Sequence, residues 1–166
     1  MPAGPRARPS VTDTWEEKMR TRLLAIAIVV VAVVPALALA GAFSMSPVVS
    51  AKLTGKNESP KGPAKGSGIV VLHLSAAKGT VCWDFAKVKG IGTPQAAHIH
   101  KGAASKSGAI VVPLGTAYKT KGCTKASKST IGAIEEHPNS YYVNVHTQKY
   151  PNGAIRGQLV AGMIGG

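Results

Sequence analysis

Residues 140–160 read SYYVNVHTQKYPNGAIRGQLV. Two β-branched and aromatic runs, Ser140–Thr147 and Ala154–Val160, flank the turn signal Pro151-Asn152-Gly153, which is the pattern of a β-hairpin. Two registers are open. A two-residue loop at Asn152–Gly153 pairs Pro151 with Ala154 and puts His146 opposite Leu159. A three-residue loop pairs Tyr150 with Ala154, and sets Val145 opposite Leu159, Val143 opposite Ala161 and His146 opposite Gln158. The second keeps apolar with apolar and polar with polar. Because a one-residue slip reverses every side chain, it is the expected register, with Gly153 in the left-handed position. One face of the hairpin then carries Val143, Val145, Ile155 and Leu159. The other carries Asn144, His146, Arg156 and Gln158, a polar face that needs water, mutual hydrogen bonds or a ligand.

Further short strands precede this hairpin: Val48–Leu53, Gly68–Leu74 (GIVVLHL), Thr80–Phe85 (TVCWDF), Ala96–His100 and Ala109–Val112. Seven short strands punctuated by Gly, Pro and Ser predict an all-β fold, an antiparallel β-sandwich or barrel. Ser129–Glu136 reads as a single helical turn, stopped before Pro138. Asn57–Ser67 and Lys119–Lys128 are rich in Lys, Gly and Ser and read as solvated loops. The 166 residues allow one domain, and 45% hydrophobic content excludes a disordered polyelectrolyte.

The front of the chain reads as an address. Leu23–Val34 (LLAIAIVVVAVV) is unbroken apolar sequence behind Arg20 and Arg22, and Ala38-Leu39-Ala40 follows as a small-x-small site. This is a secretory signal peptide over residues 19–40, cleaved after Ala40, or else a retained anchor over residues 23–43. Either way the remainder is exported, to the cell envelope or beyond. Residues 1–18 hold Asp13, Glu16 and Glu17, which is foreign to a signal peptide. They read as an upstream extension before a true start at Met19, or as a cytoplasmic tail.

Without residues 1–40 the charge is +11, carried by fourteen Lys and the single Arg156 against four acids. The lysines are scattered through loops and aromatics are few, which argues against nucleic acid and for a soluble cationic surface, with an anionic envelope polymer or membrane surface as the alternative partner. Cys82 and Cys123 both lie in the exported part, and an oxidising compartment favours one disulfide between them.

Histidine carries the candidate chemistry. His98 and His100, two apart in AHIHKG, share one face of a strand, and His146 arrives from another strand with polar neighbours. Three imidazoles in this arrangement are a copper or zinc site, with no cofactor otherwise required. The competing reading has these rings bridging backbone groups and neighbouring side chains. His73 reads as a sheet-face residue and His137 as a loop residue. Catalysis is not expected. Carboxylates are scarce, paired only at Glu135-Glu136, no G-x-S-x-G elbow occurs, and Gly55-Lys56 lacks the spacing of a phosphate loop.

Four blocks resemble one known family, the CHRD domain named after chordin: LTGKNESP (53–60) with Gly66-Ser67-Gly68, VCWDF (81–85), AHIHKGAASKSGAIVVPL (97–114) and YVNVHTQKYPNGAIRGQL (142–159). Together they cover about residues 48–161, in the single-domain secreted form. The resemblance implies an extracellular β-sandwich, immunoglobulin-like or superoxide-dismutase-like. It places His98, His100, His146, Asn144, Gly153, Arg156 and Gly157 on the family's motif positions and supplies no catalytic residue. In chordin the module occurs in several copies of a secreted signalling antagonist. One copy without chordin's cysteine-rich modules does not carry that role, and an exported binding or structural module is the expectation. A looser likeness to copper/zinc superoxide dismutases fails for want of further histidines and of a zinc-ligating Asp; Asp84 is the only Asp beyond residue 40.

Overall fold

Strict alternation in SGIVVLHLS sends Gly68, Val70, Leu72 and Leu74 inward and Ile69, Val71 and His73 outward, as a half-buried strand requires. The same rule organises the whole domain. A computed structural model describes Met1, Gly4 and residues 47–164. The expected signal or anchor helix, and the upstream extension apart from Met1 and Gly4, lie outside the described residues.

The strands are β1 (Val48–Thr54), β2 (Ser67–Ser75), β3 (Thr80–Lys89), β4 (Pro94–Lys101), β5 (Ile110–Pro113), β6 (Lys121–Lys125), β7 (Tyr141–Thr147), β8 (Ile155–Gln158) and β9 (Val160–Ala161), with a helix α1 (Lys128–Glu136) between β6 and β7. Among the described residues they form one antiparallel sheet in the order β5-β4-β7-β8-β1-β2-β3-β6, with β9 beside β1, and the sheet nearly closes into a barrel. The all-β expectation holds. The inner faces of β1, β2, β3, β4, β5, β7 and β8 share one buried apolar core with Ile131 and Ile134 of α1.

The helix is longer than one turn. Ser127 accepts the Thr130 N–H at 3.0 Å, starting the helix at Lys128, and Ile131 and Ile134 then fall on its buried face. β6 lies within the segment expected to be loop. Its sequence, KGCTK, has no apolar alternation because it is an edge strand paired only to β3, where lysines are tolerated. Two side-chain contacts support it: Cys82 opposes Cys123 and is bonded to it, and Trp83 opposes Gly122 while its indole N–H donates to the Lys119 carbonyl at 2.9 Å. Lys121 and Asp84 add an exposed ion pair at 2.7 Å, of little energetic consequence.

The last hairpin has neither expected register. Val145 opposes Ile155, Val143 opposes Gly157, Asn144 opposes Arg156 and Tyr142 opposes Gln158. The tight turn falls on Gln148-Lys149, where Thr147 and Tyr150 exchange backbone hydrogen bonds at 3.1 and 3.3 Å. Pro151-Asn152-Gly153 is a second turn after it, closed by the Gly153 N–H on the Tyr150 carbonyl. The pairing is therefore four residues from the expected one. Four is even, so each residue keeps its expected face. Val143, Val145, Ile155 and Leu159 are fully buried in the core.

Candidate metal centre and adjoining cavity

β7 is buried on both faces, which alternation alone does not explain. Its outer, polar side is roofed by the loop joining β4 to β5. Arg156 donates through Nη2 to the carbonyls of Ala103 (3.2 Å) and Lys106 (3.0 Å). Gln158 donates to the carbonyls of Gly102 and Asn139, both at 2.7 Å. The Gly108 N–H donates to the Tyr142 hydroxyl at 3.1 Å. Arg156 also lies 3.7 Å over the Tyr142 ring and is only 2% exposed. The predicted polar face thus has its hydrogen bonds mainly from loop carbonyls.

The three histidines meet on that face. His98 opposes Asn144, His100 opposes Tyr142 and Ala96 opposes His146, so alternation on β4 and β7 points all three rings outward. One nitrogen from each lies within 4.8 Å of the others. Hydrogen bonds set the tautomers. His100 Nδ1 donates to the Gly108 carbonyl and His146 Nδ1 donates to the Pro151 carbonyl, both at 2.9 Å. Each therefore presents an Nε2 lone pair. His98 Nδ1 lies 3.0 Å from His146 Nε2 and must be the donor, which leaves the His98 Nε2 lone pair unused. Imidazoles held by backbone carbonyls with the second nitrogen free are the usual arrangement of metal-binding histidines. Burial, reinforced by the neighbouring His146 and His100, lowers the His98 pKa to about 4. Burial also lowers that of His146, against the raising effect of the Pro151 carbonyl. Both rings are neutral at pH 7, the form that binds metal.

Nothing in the sequence singled out Glu58. It follows β1 and lies 5% exposed, lining with His100, Tyr142, Asn144 and Arg156 a cavity of about 320 Å³. Burial raises its pKa to about 7, against the lowering effects of Arg156 and the Ser59 amide. Its one signal in sequence was rarity, as one of four acids beyond residue 40. His73 and His137 are exposed and stand apart from the cluster, as expected.

Gly153 has φ +131°, and a Cβ there would run into the Glu58 carboxyl. Gly153→Val is therefore expected to cost about 2 kcal/mol, read as a shift in urea midpoint. An unchanged midpoint would show that neither the backbone angle nor the contact matters.

A family model for the CHRD domain matches residues 49–159. No curated protein and no solved structure shows significant similarity to the chain. The matched region runs from β1 to the end of β8 and contains the three histidines, the disulfide and the loop-roofed polar face; the chain belongs to the CHRD domain family.

Proposed function

We propose that this is an exported, non-catalytic CHRD-domain binding protein whose ligand is a single copper or zinc ion held by His98, His100 and His146. The observation that carries the reading is the pair of carbonyl-anchored rings, His100 and His146, whose Nε2 lone pairs face His98; that of His100 is buried without a protein partner and that of His146 accepts from His98 Nδ1. Ligand nitrogens of one ion, at about 2.0–2.1 Å from it, stand roughly 3–3.5 Å apart. His98 Nδ1 and His146 Nε2 already stand 3.0 Å apart; an ion would take both once the His98 proton moves from Nδ1 to Nε2, and a small movement of the His100 ring brings in the third. Export supports the reading from outside the site, because the apolar run at Leu23–Val34 with Ala38-Leu39-Ala40 matches a leader and the cysteine pairing suits an oxidising compartment.

A second reading, an envelope module that contacts an anionic polymer or membrane surface, is favoured by the exposure of every lysine among the described residues.

Protein purified from the exported fraction should begin after Ala40 by intact mass and contain one equivalent of copper or zinc by elemental analysis. The double variant His98→Ala/His100→Ala should lose that metal and bind Zn²⁺ at least about a hundredfold more weakly by calorimetry. Equal zinc binding by the variant would end the metal reading.

A further inference from the structure

A three-histidine site does not account for the cavity beside it. Among the described residues, five buried side-chain nitrogen or oxygen atoms have no hydrogen-bond partner, and three of them belong to its walls: Glu58 Oε1, His100 Nε2 and Asn144 Oδ1. Their residues are 5%, 7% and 2% exposed. The metal reading uses the His100 atom; the other two are isolated acceptors, costly to bury, and on the walls of the same cavity of about 320 Å³ they mark a place for a ligand that also donates.

The same walls supply positive charge. Arg156 uses Nη2 on loop carbonyls, while its Nε and Nη1 make no hydrogen bond among the described residues. It is paired with no carboxylate there, Lys121–Asp84 being the ion pair among those residues. Asn144 stands between the two features on the strand pairing, opposed by His98 on one side and Arg156 on the other. A ligand that satisfies this row needs an anionic oxygen at the Arg156 end and an O–H for Asn144 Oδ1. The Glu58 carboxyl in the wall disfavours a second negative charge.

We infer that the cavity binds a small monovalent oxyanion carrying a hydroxyl, either hydrogen carbonate or a short 2-hydroxycarboxylate. Arg156 holds its charge and Asn144 accepts its hydroxyl proton; in metal-loaded protein one oxygen would also approach an ion held by His100. The inference rests on the metal reading only for that last contact.

The test titrates glycolate, hydrogen carbonate and acetate into metal-free and zinc-loaded protein, by calorimetry and by amide NMR shifts around residues 100–108 and 142–156. Glycolate or hydrogen carbonate should bind at least about tenfold more tightly than acetate, which lacks the hydroxyl, and the better of the two identifies the source. Asn144→Ala should bring that ligand down to the acetate level, and Arg156→Lys should weaken all three. If Arg156→Lys fails to fold, the Asn144 comparison decides alone. No binding at millimolar concentration in either form, equal binding of acetate, or an unchanged preference in Asn144→Ala would overturn the inference. Zinc binding without anion tests the histidine site separately, so anion binding without zinc sinks only the metal reading and zinc binding without anion sinks only this one.

Discussion

Relative to Glu58→Gln, the metal-free wild-type protein should lose about 2–3 kcal/mol of stability between about pH 5 and pH 8, the lowered pKa values of His98 and His146 giving both proteins the same rise with pH. The sign follows from where the proton resides. In the unfolded chain this carboxyl ionises near its ordinary value of 4.5, and in the folded protein near 7. Between those values the folded state keeps a proton that the unfolded state has released, so raising the pH favours unfolding. Above about 7 both states are ionised and the penalty stays constant at its full size. A shift from 4.5 to about 7, at about 1.4 kcal/mol per pH unit, sets the magnitude. Burial is the larger cause and the Arg156 charge only partly offsets it. Glutamine has the same shape and never ionises. Urea melts of both proteins at several pH values check this, and parallel curves would mean that Glu58 is solvated and ionised in the native protein.

Cys82→Ser should lower stability by about 3–4 kcal/mol in oxidising buffer, and the gap to wild type should close in reductant. The bond joins residues 41 apart, so it removes much freedom from the unfolded chain. Its native position adds a local effect. Among the described residues β6 has one neighbour, and it carries no apolar side chain besides Cys123 at its centre; the disulfide joins directly opposed residues of β3 and β6. Amide exchange of Lys121–Lys125 should quicken in the variant more than exchange in β2 or β7. Equal melting of the two proteins without reductant would show that the bond contributes nothing.

Much of the sheet was legible because alternation is a local property. Val143, Val145, Ile155 and Leu159 could be assigned inward, and His98, His100 and His146 grouped on one side, from spacing alone. The register was not legible. Asn-Gly is a strong hairpin signal, and nothing local reveals that Gln148-Lys149 turns first and that Pro151–Gly153 turns again. β6 was missed for a related reason: an edge strand of Lys, Gly and Thr has no apolar stripe, and its position depends on a bond to a residue far away in the chain. Glu58 was missed because a lone carboxylate in a polar stretch reads as solvent-exposed. Only the packing of that stretch against Gly153 and Arg156 buries it.

The order of residues by itself determined which side chains share a face, that the fold is a sheet, and that Cys82 had one partner to find. Those outcomes depend on periodicity and on chemistry carried within each segment. The tertiary structure alone decided what lies over the polar face. The loop after β4 folds back over Arg156, Tyr142 and His100, supplies carbonyls to Arg156 and His100, and selects the His100 tautomer. Burial under a loop raises the cost of every unmatched polar atom, and that cost depends on neighbours distant in the chain, which no local pattern encodes.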